Sequence, residues 1–363
     1  MKTDNRIVVK VGTKVITSKE RALDKERIKD IVRQIAHVQR RGTNCVLVTS
    51  GAIGAGMWLL DIKRRPQNKI AELQAIASIG QCHLMQLYSE LFKERGFLVG
   101  QILLTQEDFN DRKRYLNIKH TIDSLFAHNV IPIINENDTV AIDEIKCGDN
   151  DRLSGLVADL CGAAKLVLLT DVDGLLDEKG NVISRVSSIT ANILKLAGKS
   201  ACDLGTGGMA TKIESARNVI QAGIACVIAN GRMKDVLIRI MDGEVVGTAF
   251  ETKKMKFVAR KRWIAFSPKP KGVVRVDEGA KIAMEKRDKS LLASGIVGVE
   301  GDFVSGNVIS IFGSDGREFA RGIAGYSSGE ISKIKGLNTG RFKETIGYKG
   351  PDEVIHKDDL VIL

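Results

Sequence analysis

Residues 44–56 read NCVLVTSGAIGAG. A run of strand-forming residues at 44–49 passes straight into Ser50 and three glycines, and an apolar helical pattern continues from there to about Glu94. A short, continuous apolar run of this kind suits a strand buried on both faces, and such strands belong to parallel sheets covered by helices. The same unit recurs on either side. Upstream, RIVVKV at 6–11 ends on Gly12, and Ile28, Ile31, Ile35 and Val38 step by three and four along a helix that Gly42 closes. Downstream, strand-like FLVGQILL (97–104), NVIPII (129–134), KLVLL (165–169) and IACVIA (224–229) alternate with helical patterns at 114–128, 150–162 and 209–222. Residues 1–250 therefore predict an α/β domain with a mainly parallel central sheet.

The texture changes near residue 250. ETKKMKFVARKRWIAFSPKP (251–270) is basic and ends in Pro-Lys-Pro, which suits a linker. Beyond it, GIVGVEG, GNVISIFG and ARGIAGYSSG are short segments separated by glycine, as in a small β-rich domain over 271–363.

The chain has 363 residues and a net charge of +11, and residues 251–290 hold 13 Lys or Arg against 5 Asp or Glu. The basicity is therefore local, suiting either nucleic acid or anionic ligands, or a solvated charged surface. The six cysteines form no C-x-x-C pair, and several lie in apolar runs, as buried reduced thiols do. The N-terminus, MKTDNRIVVKVG, lacks the features of a signal peptide, and no apolar run approaches membrane-spanning length. Together these predict a soluble cytoplasmic protein.

Ligands of open α/β sheets bind outside the carboxyl ends of the strands. Five polar or glycine-rich segments follow strand signals here: KVGTK at 10, TSGAIG at 49, NEND at 135, TDVDGL at 170 and ANG at 229. Lys10 sits inside an apolar strand, either reaching water or aimed at a phosphate. Ser50 and Gly51 open a helix, whose free N–H groups attract anions. GTGGMATK (205–212) leads glycines and Lys212 into another helix, yet no Walker A pattern occurs anywhere. Asp149, Asn150 and Asp151 precede a helix and exceed what capping requires. An amide-rich pocket suits a zwitterionic amino acid, whose ammonium needs acceptors and whose carboxylate needs donors. The five histidines show no catalytic arrangement, and no G-x-S-x-G is present.

The set VVKVGT, VTSGAIGAG, VGQILLT, IPIINENDTVA, GDND, LLTDVDGL, GTGGMATK and KRW, in this order, resembles the glutamate 5-kinases, a branch of the amino-acid kinases. The resemblance covers nearly the whole chain. It implies an αβα sandwich followed by a PUA domain, and ATP-dependent phosphorylation of the side-chain carboxylate of glutamate, the first step of proline biosynthesis. It implies that Lys10 contacts the ATP phosphates, and that Ser50, Asp138 and Asn150 hold glutamate. Thr170 and Asp171 would bind nucleotide together with Thr206, Gly207, Gly208, Met209, Ala210, Thr211 and Lys212. Lys10 and Lys212 would neutralise charge, and Asp151 would position the lysines. Mg²⁺ would travel with the phosphates. Members of the family assemble as dimers or tetramers and pass their product to glutamate-5-semialdehyde dehydrogenase, and PUA domains elsewhere bind RNA. Leu176 departs from the pattern, because many relatives carry an aromatic after DGL. Sister kinases acting on aspartate or N-acetylglutamate share several of the motifs more loosely. An RNA-binding role for the C-terminal domain has charge in its favour, with Trp263 and Phe266 available for stacking.

Overall fold

The computed structural model describes residues 5–18, 22–67, 69–141, 150–198, 208–252, 259–266, 270–348 and 350–363. The chain divides into two compact units, Met1–Lys256 and Phe257–Leu363.

The first unit is built on eight strands: β1 (Arg6–Val11), β2 (Asn44–Val48), β3 (Val99–Leu104), β4 (Ile131–Glu136), β5 (Lys165–Thr170), β6 (Arg185–Val186), β7 (Ala225–Asn230) and β8 (Thr248–Phe250). They lie in the order β3-β4-β2-β1-β5-β7-β8-β6, and every pairing is parallel except β7 with β8. The apolar runs explain this core: β1 and β4 are buried along their whole length. The two short strands β6 and β8 carry too little apolar sequence to be read in advance.

The chain leaves β1 toward β2 on one side and returns to it through β5 on the other. Beside β1 the strand order therefore reverses, which opens a crevice at the carboxyl ends of the strands. Lys10 is paired in register with Val48 of β2 and Leu168 of β5, so it stands at the head of that crevice.

The helix expected to run from the Ser50 turn to Glu94 is two helices, Ala52–Leu59 and Ile70–Lys93. The residues between them include Pro66, which cannot supply an amide to a continuing helix. The two helices cross closely. A Cβ on Gly80 would lie 1.8 Å from the Ala52 carbonyl oxygen, and one on Gly56 would lie 2.0 Å from that of Ile76. The Lys25–Arg40 helix buries the face read from its spacing, and Asp24 Oδ1 caps it by accepting from Arg27 N at 3.0 Å.

The second unit holds β9 (Val273–Val276), β10 (Ile296–Glu300), β11 (Val308–Phe312), β12 (Glu318–Ile323) and β13 (Leu360–Ile362), ordered β10-β9-β11-β12-β13. The basic stretch before it contains a helix, Ala259–Phe266, that packs on β12 and β13. Trp263 on that helix is 3% exposed. Its ring belongs to the core and is not available to stack on bases. Among the cysteines, Cys45, Cys161 and Cys226 are buried, whereas Cys82 is exposed. Burial pushes the Cys161 thiol up to about 12. No described helix is long and apolar enough to cross a membrane.

Candidate active site

A cleft of about 730 Å³ opens at the carboxyl ends of the central strands of the first unit. Four of the five segments singled out in the sequence line it, through Lys10 and Gly12, Ser50 and Gly51, Asn135 and Asp138, and Thr170 and Asp171. Asn150, Gly208, Met209 and Lys212 complete the wall. The fifth segment works from behind: Asn230 Nδ2 donates to Asp173 Oδ1 at 2.8 Å, and Gly231 N to Thr170 O at 2.8 Å.

At the floor, Asp151 lies between two lysines. Its Oδ1 is 2.6 Å from Lys10 Nζ and its Oδ2 is 3.1 Å from Lys212 Nζ. Asp151 is 1% exposed, and each lysine is 5% exposed. Burial alone would raise the Asp151 pKa, but the two ammonium groups outweigh it and hold the carboxyl below its ordinary value. Burial also lowers the pKa of Lys212, Asp151 pulls it back up, and Lys10 adds to the lowering. The backbone of Asp151 is fixed as firmly as its side chain, because Ser154 Oγ and Ser215 Oγ donate to its carbonyl at 2.6 and 2.7 Å. Thr211 Oγ1 stands 2.9 Å from Asp151 Oδ2 and 2.8 Å from Gly208 O, tying the glycine-rich turn to the same carboxylate. Gly12 leaves room above Lys10, since a Cβ there would lie 3.6 Å from Nζ.

On the neighbouring wall the polar groups are amides. Asn150 Nδ2 lies 2.8 Å from Thr49 O, 2.8 Å from Ser50 Oγ and 2.9 Å from Asn135 Oδ1. Ser50 and Asn150, distant in sequence, are thus in direct contact. Toward the rim, Lys14 Nζ pairs with Asp171 Oδ2 at 3.2 Å, and Thr170 Oγ1 donates to Asp171 Oδ1 at 3.2 Å. Burial pushes Asp171 up, and Lys14, a backbone N–H and the Thr170 hydroxyl together more than offset it, so this carboxyl is also held low.

Met209, Ala210 and Thr211 start the Met209–Gln221 helix. Thr206 and Gly207 lie outside the described residues. Leu176, just beyond TDVDGL, is exposed and pairs by a short antiparallel bridge with Val182. Lys14, within the KVGTK segment, also lines the cleft, and three cationic lining residues escaped the sequence reading: Lys63, Arg64 and Arg65 from the turn between the two crossing helices. Their signal was the charge cluster KRR ahead of Pro66. Among the described residues the cleft is lined by six cationic side chains and two carboxylates, which suits an anionic ligand, and none of the five histidines lines it.

The sequence pattern of the amino acid kinase family matches residues 5–230, and that of the PUA domain matches residues 272–346. A glutamate 5-kinase of Caldanaerobacter subterraneus is 48% identical, over 99% of this chain and 98% of its own length. One from Moorella thermoacetica is 44% identical over 99% and 96%. Among solved structures, an N-acetylglutamate synthase from Neisseria gonorrhoeae superposes with a TM-score of 0.51 at 13% identity, covering 69% of this chain and 60% of that one, a likeness of fold alone. The chain belongs to the amino acid kinase family, with the glutamate 5-kinases as full-length relatives.

Proposed function

We propose that the cleft transfers the γ-phosphoryl group of ATP to the side-chain carboxylate of L-glutamate, giving L-glutamyl 5-phosphate, the first step of proline biosynthesis from glutamate. The observation that carries this is the buried Lys10–Asp151–Lys212 arrangement beside the Ser50–Asn150 amide wall, in a chain nearly half identical to glutamate 5-kinases.

A glutamate side chain has a pKa of about 4.3 and is already ionised at neutral pH. It needs no general base. The obstacle is repulsion between that carboxylate and the triphosphate, and phosphoryl transfer is catalysed mainly by positioning and charge neutralisation. Lys10 and Lys212 neutralise the transferring phosphoryl group, and Thr206, Gly207 and the helix start from Gly208 to Lys212 serve to bind the nucleotide. Asp151 aims the lysines. Thr170 and Asp171 serve the nucleotide. Ser50, Asp138 and Asn150 take the amino acid.

The residues facing the cleft fit a Mg²⁺ carried by the nucleotide: they offer ammonium, hydroxyl, amide and single carboxylate groups, and no three His, Cys, Asp or Glu among the described residues gather as a cage. Bound there, the ion would supply further neutralisation of the phosphate charge.

The product is a labile acyl phosphate, so a dehydrogenase that reduces glutamyl phosphate is the consuming partner. The enzyme works in the cytoplasm as a homo-oligomer.

Hydroxylamine trapping with ATP, Mg²⁺ and L-glutamate, L-aspartate or N-acetyl-L-glutamate tests this directly. Hydroxamate from glutamate alone is the expected result. Hydroxamate from another acceptor moves the chain to a sister activity, and none from any acceptor overturns the assignment.

A further inference from the structure

The Ile70–Lys93 helix buries a stripe of apolar residues that includes Ile76, Ala77, Leu84 and Leu91, and within that stripe two polar side chains, Gln81 and Tyr88. They are seven residues apart and so share a face. Neither is among the residues lining the cleft. Burying an amide costs free energy unless it is bonded, so the partners of Gln81 carry information.

Gln81 Oε1 accepts from Asn135 Nδ2 at 2.8 Å. That bond decides which way the Asn135 amide faces. With Nδ2 committed to Gln81, Asn135 Oδ1 accepts from Glu136 N at 2.9 Å and from Asn150 Nδ2 at 2.9 Å. Asn150 therefore turns its Nδ2 to Asn135, Thr49 and Ser50. Its Oδ1, buried and with no hydrogen-bond partner among the described residues, is left as an unused acceptor. Tyr88 braces the same corner, with its hydroxyl 3.0 Å from Thr49 Oγ1. The helix cannot drift away from this corner, because Gly80, next to Gln81, is seated against the Ala52 carbonyl at the start of the helix that Ser50 and Gly51 open.

We propose that Gln81 is a positioning residue for the amino-acid substrate: its Oε1 fixes the amide of Asn135, which fixes that of Asn150, so that Asn150 and Ser50 hold their donor and acceptor pattern before the substrate arrives. This rests on the assignment of Ser50 and Asn150 to the glutamate side of the cleft.

The test compares Gln81→Met, which keeps length and removes the acceptor, with Gln81→Glu, which keeps an Oε acceptor. Gln81 Nε2 has no hydrogen-bond partner among the described residues, so Gln81→Glu gives up no described bond. Gln81→Met is expected to raise KM for glutamate about tenfold, ~1.4 kcal/mol, and to leave KM for ATP within about twofold. Gln81→Glu is expected to restore most of that loss. In an Asn150→Ala background the effect of Gln81→Met is expected to vanish, because the relay then has no end to act on. Multiplicative effects of the two substitutions, or equal changes in both KM values, overturn the proposal. If Gln81→Met does not fold, Asn135→Asp tests the same bond from its other end, and an unchanged glutamate KM there overturns it. A raised KM in Asn150→Ala with none in Gln81→Met defeats the relay alone. An unchanged KM in Asn150→Ala defeats the site assignment and the relay with it.

Discussion

Replacing Asp151 by Asn removes one negative charge from between two ammonium groups and leaves the volume of the site almost unchanged. The native oxygens lie 2.6 Å from Lys10 Nζ and 3.1 Å from Lys212 Nζ. The two ammonium groups are thus within about 8 Å of each other, and at an effective dielectric of about 20 their repulsion is about 2 kcal/mol. Breaking a buried ionic arrangement by removing one member costs about 3–5 kcal/mol. For a unit of this size the midpoint of thermal unfolding should fall on the order of 10 °C. ATP brings negative charge to the same lysines, so it should raise the melting temperature of the variant by more than that of the wild type.

The pH dependence of this variant has a definite sign. Burial lowers the pKa of Lys212 most and Lys10 adds to the lowering, whereas Asp151 raises it, with a smaller contribution from Asp171. In Asp151→Asn that support is gone, so Lys212 loses its proton at lower pH. A neutral Lys212 cannot offset phosphate charge. The kcat of the variant should therefore fall with rising pH where the wild type is still flat, and recover toward the acid side. Hydroxamate formation from about pH 6 to about 9 reads this, because kcat reports ionisations of the bound complex. Stability in acid should change as well. The folded pKa of Asp151 is below its ordinary 3.8, so its contribution is present above that value and is lost as pH falls through the lower one. The variant should lose less stability than the wild type on acidification below about pH 4. An unchanged melting temperature, equal stabilisation of both proteins by ATP and a parallel pH profile would together refute the reasoning.

Lys10→Ala and Lys212→Ala should each lower kcat at least about tenfold, ~1.4 kcal/mol, and a near-normal kcat in steady-state assays would remove that lysine from its role. Gly12 has φ of −73°, which any residue can adopt, so Gly12→Ala should fold normally; its methyl group, 3.6 Å from Lys10 Nζ, should raise KM for ATP at least about threefold, ~0.7 kcal/mol. An unchanged KM would mean that the phosphates do not approach there. Gly80→Ala drives a Cβ to 1.8 Å from a backbone oxygen, so the two crossing helices must part. A cost of about 1–3 kcal/mol in thermal or denaturant unfolding is expected, and a melting temperature equal to that of the wild type would show that the crossing yields freely.

The sheet was legible because burial on both faces writes itself as unbroken Val, Ile and Leu, as in RIVVKV and KLVLL. The strands β6 and β8 were not, because two or three residues carry no period. The break at Pro66 was obscured by apolar patterns on both sides of it, and the reason for Gly56 and Gly80 exists only once the helices meet. Lys10 announced itself as a charge within an apolar strand. Gln81 carried the same kind of signal, an amide in the stripe of Ala77, Leu84 and Tyr88, and went unread because one Gln among alanines and leucines also suits a solvated helix face. The Ala259–Phe266 helix was hidden by its basic residues, which dominate the composition while Trp263 and Ile264 turn inward.

The state of Asp151 bears on what kind of chemistry the cleft can do. A carboxyl at 1% exposure between two ammonium groups, with its pKa held low, does not take a proton near neutral pH. It is therefore a poor general base, no histidine stands among the described residues lining the cleft, and the Asp171 carboxyl there is also held low. A carboxylate nucleophile has no proton to lose. The same burial that disqualifies Asp151 as a base makes it an effective anchor, because Lys10 and Lys212 are held in place before any phosphate is present and need not be gathered from solvent when it arrives. Asp151 pays for this by cancelling one of the two positive charges. Toward the rim, Arg64 and Arg65 add positive charge without being buried alongside it, while Lys14 is paired with Asp171. A fixed, partly neutralised pair of cations at the floor and a more exposed cationic rim suit a reaction in which two anions must be brought together and neither has to be deprotonated.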